Sequence, residues 1–96
     1  MSEPRLKVAS SARLRWDKIE GRHVLLSPER GLALSPTATE IVELCDGAHT
    51  ASGVVLRCVE RHGGGAPEAR EKIEQDVRAM LRELLSRGLV VEQAEE

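Results

Sequence analysis

From residue 13 onward the chain first alternates apolar and polar positions, then changes to helical spacing. Arg13–Asp17 places Leu14 and Trp16 on one face, the period-two pattern of a half-buried strand. Residues 22–27 carry Val24, Leu25 and Leu26, and residues 31–34 put Leu32 and Leu34 on one face, so two more strands are expected. A polar turn at 18–21 separates the first two, and Pro28-Glu29-Arg30-Gly31 sets Pro and Gly where a tight turn wants them. From Ser35 the period lengthens. Ser35 reads as a helix N-cap with Pro36 at the first helical position. Ala38, Ile41, Val42 and Cys45 form the buried stripe, and Asp46-Gly47 stops the helix. Thr50 caps a second helix carrying Val54, Val55, Cys58 and Val59, which Gly63-Gly64-Gly65 ends. Pro67 opens a third that reaches about Arg87, with Gly88 in the C-cap position and a last extended segment over 89–92. Residues 1–12 are polar, with Pro4 and Ser10-Ser11, and read as a flexible tail. The single domain is then 13–92.

Three strands followed by three helices predict an α+β fold. It is a winged-helix-like domain with a three-stranded antiparallel meander whose second strand lies in the middle. The first and third strands are then open edges, and an open edge can pair with another chain. The third helix is the longest amphipathic element. Ile73, Val77, Met80 and Leu84 share a narrow stripe, while Leu81 and Leu85 sit to one side, beside Glu74 and Arg78. Two readings stand for that extension: more core, or the floor of a groove beside the sheet edge.

Composition narrows the functions. A chain of 96 residues has a modest core and little room for a deep active site. Trp16 is the only aromatic residue, which removes base stacking on aromatic platforms. Net charge is −2 and no block of like charge occurs, against a phosphate-driven nucleic-acid binder. Over 68–87, Arg70, Lys72, Arg78, Arg82 and Arg87 are balanced by Glu68, Glu71, Glu74, Asp76 and Glu83, a poor recognition helix. A winged-helix nucleic-acid-binding domain and an oligomerisation module remain the alternatives to peptide binding. Cys45, His49, Cys58 and His62 are zinc-ligand types, but both cysteines fall on apolar stripes and no Cys-x2-Cys knuckle is present. Buried thiols with surface histidines are expected, with no metal and no cofactor. No nucleophile–base constellation is evident, so no catalytic residue is assigned. No apolar run long enough to span a membrane and no signal-peptide pattern occur, so a cytoplasmic protein is expected.

Several ordered pieces resemble the PqqD family, the peptide chaperones of pyrroloquinoline quinone (PQQ) biosynthesis. These are Arg13-Leu14-Arg15-Trp16-Asp17, Leu25-Leu26-Ser27-Pro28-Glu29, the helix from Thr37 to Leu44, Asp46-Gly47 with Thr50, Asp76-Val77, and Gly88-Leu89-Val90. The glycine run Gly63-Gly64-Gly65 departs from the family pattern. The resemblance implies a RiPP recognition element, a non-enzymatic binder of a ribosomally made, PqqA-like precursor peptide. It presents that peptide to a PqqE-like radical S-adenosylmethionine (SAM) enzyme, which cross-links a Glu and a Tyr of the peptide. It implies that the peptide adds as a strand beside the third strand and against the third helix. The expected binding residues are Arg30, Gly31, Leu32, Ala33 and Leu34 with Glu74, Arg78, Leu81 and Leu85. A functional monomer is expected, with dimerisation or strand exchange open to a small domain that has a free edge.

Overall fold

The computed structural model describes residues 3–28 and 30–93. Met1 and Ser2 of the expected tail, and Glu29 of the expected turn, lie outside the described residues. The elements run β1 (Arg5–Val8), β2 (Arg13–Asp17), β3 (Arg22–Leu26), β4 (Gly31–Ala33), α1 (Pro36–Leu44), β5 (Asp46–Thr50), α2 (Ala51–His62), α3 (Pro67–Ser86) and β6 (Val90–Gln93).

The local signals act as their chemistry dictates. Ser35 Oγ accepts the Ala38 N–H at 3.1 Å, and Pro36 fills the first turn, where its missing N–H costs nothing. Thr50 Oγ1 accepts the Gly53 N–H at 3.1 Å and starts α2. At the end of α3, the Gly88 N–H reaches the Leu85 carbonyl at 3.1 Å and the Leu89 N–H reaches the Leu84 carbonyl at 3.0 Å. Gly88 takes φ +71 to close this cap, a conformation that glycine adopts at no steric cost.

The β2–β3–β4 meander forms as the alternation implies, with Leu14 opposite Leu25 and Leu25 opposite Leu32. The fold is α+β, but the plan of three strands followed by three helices is corrected in two places. The tail contains β1, the centre of a second antiparallel sheet ordered β5–β1–β6. Leu6 is only 2% exposed within the core, so this segment is held rather than loose. Glu3 adds a clamp, accepting hydrogen bonds from both the N–H and the hydroxyl of Ser52 in the first turn of α2. The second correction is β5. The Asp46-Gly47 stop does end α1, but the residues after it pair with β1 across a bulge between Leu6 and Lys7. The described domain therefore begins near residue 3 rather than at 13. One core joins both sheets to the helices through Leu6, Leu25, Leu34, Ile41, Val54, Cys58, Val77, Leu84 and Val90.

Candidate functional site

Among the described residues β4 pairs only with β3, so its other side is an edge. Antiparallel pairs alternate between hydrogen-bonded and non-hydrogen-bonded. The Ser27 N–H meets the Arg30 carbonyl and the Leu34 N–H meets the His23 carbonyl, each at 2.9 Å. Residues 30, 32 and 34 therefore aim their main-chain groups at β3, and those of Gly31 and Ala33 point outward to the open edge. Side chains follow the opposite logic: Leu32 and Leu34 face the core, while Gly31 and Ala33 are exposed with Leu26. A Cβ on Gly31 would stand 3.0 Å from Leu26 Cδ2 and 3.3 Å from Val24 Cγ1, so glycine keeps that end of the edge narrow.

Two separate cavities, one ahead of β4 and one beyond it, have α3 residues in their walls. One of about 510 Å³ brings Pro28 and Arg30, ahead of β4, to Ser86 and Arg87 at the end of α3. Another of about 370 Å³ brings Ser35 and Ala38, just beyond β4, to Ile73, Asp76 and Met80. The residues ahead of β4 thus lie near the end of α3 and those beyond it nearer its start, so the two elements run in opposite directions, with Ile73 and Met80 lining the second cavity. Arg30 and Arg87 line the first cavity, and Asp76 with His62 the second.

The expected residues divide accordingly. Arg30, Gly31, Leu32, Ala33 and Leu34 stand at the edge or directly behind it. On α3, Glu74 and Arg78 lie on a different flank from Ile73, Asp76 and Met80. Glu74 lines a separate cleft with Ser52, Val55 and Val59 of α2. Arg78 Nε pairs with Glu74 Oε2 at 3.3 Å, and its charge helps lower the pKa of Glu3 behind the hydrogen bonds from Ser52. Leu81 is 3% exposed and belongs to the core, with Leu85 half-buried against it. Amphipathic spacing locates the buried stripe of α3, which includes Ile73 and Met80, but not which flank faces α2.

The zinc-like pattern does not converge. Among the described residues no group of three His, Cys, Asp or Glu side chains could hold a metal ion. His49 Nδ1 lies 3.0 Å from Asp46 Oδ1, and His62 Nε2 lies 2.8 Å from Glu40 Oε2. Both cysteines are free and buried. Burial pushes the Cys45 thiol up to about 12 and also raises that of Cys58. Such thiols carry little of the thiolate that nucleophilic chemistry needs.

Residues 22–90, from β3 to the start of β6, match the family model of coenzyme PQQ synthesis protein D. The chain belongs to the PqqD family. β4 and α3 both fall within the matched span. A PqqA binding protein of Rhodopseudomonas palustris (strain BisB5) is 38% identical over 84 residues, covering 88% of this chain and 78% of that one. A PqqA binding protein of Methylococcus capsulatus is 33% identical over 87 residues, covering 91% and 87%. The solution structure of the PqqD truncation of Methylobacterium extorquens PqqCD superposes with a TM-score of 0.68 at 28% identity, covering 90% and 87% of the two chains. That protein is described as a functional, stand-alone RiPP recognition element. After the glycine run, α3 begins at Pro67, as the sequence implies. Among the described residues no helix is long and apolar enough to cross a membrane.

Proposed function

We propose that this PqqD-family chain binds a ribosomally made, PqqA-like precursor peptide as an added strand on β4. It presents the peptide to a PqqE-like radical SAM enzyme in the cytoplasm and performs no chemical step itself. The observation that carries this reading is the outward aim of the Gly31 and Ala33 main-chain groups along an open edge. Pairing to those groups supplies affinity in any sequence context, while the peptide's alternate side chains supply selectivity. Ile73 and Met80 offer apolar contacts in the cavity beyond β4, and Arg30 favours a peptide carboxylate ahead of it, where Arg87 is paired with Glu83. Relatives named for binding PqqA support the same class of ligand.

The test is a titration of the labelled protein with the precursor peptide, followed through backbone amide shifts. The amides of Gly31 and Ala33 and those of the Ile73–Met80 flank should move most. Shifts confined to the α2–α3 cleft around Ser52 and Glu74 would place the peptide elsewhere and overturn the β4 assignment. Cross-linking of the peptide by this chain without the radical enzyme would overturn the non-catalytic role.

A further inference from the structure

Trp16 is the one aromatic side chain of the protein, yet it is 57% exposed, and Ile19 at the tip of the same β2–β3 hairpin is 96% exposed. Single exposed apolar residues are ordinary on protein surfaces. Three further observations set this pair apart.

The first is rigidity. Asp17 Oδ1 accepts the Ile19 N–H at 2.9 Å and the Glu20 N–H at 3.3 Å, and the Gly21 N–H returns to the Asp17 carbonyl at 2.8 Å. Gly21 sits at φ +66, which completes the turn. Such a turn favours small polar residues at its tip. Its geometry gives no reason for a β-branched apolar one, while its rigidity reduces the entropy lost when Ile19 is buried by a partner. The second is shape. The Trp16 ring meets His23 edge-on, with centroids 5.0 Å apart. The two border an open cavity of about 630 Å³ that reaches Leu34 and Pro36, so a ridge stands beside a hollow. The third is charge. Of the chain's 14 Lys and Arg and 16 Asp and Glu, residues 13–23 hold Arg13, Arg15, Lys18 and Arg22 against Asp17 and Glu20. The hairpin is thus +2, and the remaining ten basic against fourteen acidic residues leave −4 elsewhere.

We propose that the β2–β3 hairpin is a docking element. Trp16 and Ile19 enter an apolar slot on a partner protein, and carboxylates around that slot face Arg15, Lys18 and Arg22. Building on the function proposed above, that partner is the enzyme that modifies the peptide. β2 and β4 are opposite edges of one sheet, so the hairpin engages the enzyme while Gly31 and Ala33 remain open to the peptide. A lipid surface fits less well, because Asp17 and Glu20 interrupt the hairpin's four cations and leave a net +2, short of the uncompensated basic clusters that hold anionic headgroups.

The experiment titrates the purified PqqE-like enzyme, without peptide, into the full chain and into Ile19→Ser, Trp16→Ala and Lys18→Glu. Each protein is also titrated with the precursor peptide. Ile19→Ser and Trp16→Ala should each weaken enzyme binding by about tenfold or more, the scale of an interface anchor. Lys18→Glu should weaken it more at low salt than at high salt. Peptide affinity should stay within about twofold of the parent, and amide spectra should show an intact fold. Ile19→Ser removes a side chain with almost no contacts, so it remains decisive if Trp16→Ala perturbs the hairpin. Enzyme binding unchanged by Ile19→Ser, no enzyme binding by the parent, or an equal loss of peptide binding overturns the proposal. So does Ile19-dependent binding to phosphatidylglycerol vesicles with no loss of enzyme binding. Failure of the peptide-binding reading appears separately, in the parent's own peptide titration.

Discussion

His62 Nε2 lies 2.8 Å from Glu40 Oε2 and ties the last turn of α2 to the middle of α1, the helix that follows β4. Arg61 Nη1 adds a contact at 3.2 Å to the other carboxylate oxygen. The His62 hydrogen bond is the main reason the Glu40 carboxyl titrates below its ordinary 4.5.

A group whose folded pKa is depressed stabilises the fold above its unfolded pKa and loses that contribution as pH falls through the folded value. Glu40 should therefore help at neutral pH and lose that help progressively as pH falls below its ordinary 4.5 and through its lower folded value. Urea midpoints at pH 7 and at about pH 3 check this. The parent should lose more stability between them than Glu40→Gln, whose neutral amide has no proton to gain. Equal losses would show that Glu40 makes no difference to acid sensitivity.

Leu6 tests whether the N-terminal segment is structural. Its side chain is buried at the centre of the second sheet. Leu6→Ala should cost about 2–5 kcal/mol, the range for emptying a buried leucine site. A denaturation midpoint within error of the parent would restore the loose-tail reading.

Gly88 separates strain from crowding. An added Cβ meets nothing within 4 Å, but the backbone sits at φ +71. Gly88→Ala should cost about 1 kcal/mol from left-handed strain alone. Because Leu89 and the start of β6 follow directly, faster amide exchange at Leu89 and Val90 should accompany the loss.

Peptide affinity should discriminate between the two flanks of α3. Ala33→Pro removes an outward donor without removing a β3–β4 hydrogen bond, so the fold should persist and peptide binding should weaken by about 1–3 kcal/mol. Met80→Ala should also weaken binding, whereas Arg78→Ala should leave it within about twofold. Calorimetric titration of the three variants decides it, and a large effect of Arg78→Ala alone would return the groove to the α2 side.

Thiol chemistry gives a further check. Burial raises both thiol pKa values, so Cys45 and Cys58 should resist alkylation by iodoacetamide at neutral pH and react once the protein is unfolded. Rapid labelling of either in the native protein would contradict its buried environment.

Sequence by itself determined the features that rest on nearest neighbours. Ser35, Thr50 and Gly88 bound their helices through hydrogen bonds that span a few residues. The β2–β3–β4 meander follows from alternation and two short turns. The exposed edge at Gly31 and Ala33 follows from the order of those strands. β1 was also legible in principle, since Arg5-Leu6-Lys7-Val8 alternates like β2, though its polar surroundings argued for a tail. β5 was not legible, because Asp46, Gly47 and His49 have little strand preference of their own. They become a strand only where β1 arrives to pair with them. The second sheet joins residues from both ends of the chain, and only tertiary structure brings such distant partners together. The same holds for the rotation of α3. Its apolar stripe is visible in the sequence, but which flank carries Glu74 to the α2 cleft depends on how α2 and the second sheet pack against it. Helical period records that a helix has an inside, whereas its neighbours on each side are decided by the packing of the whole core.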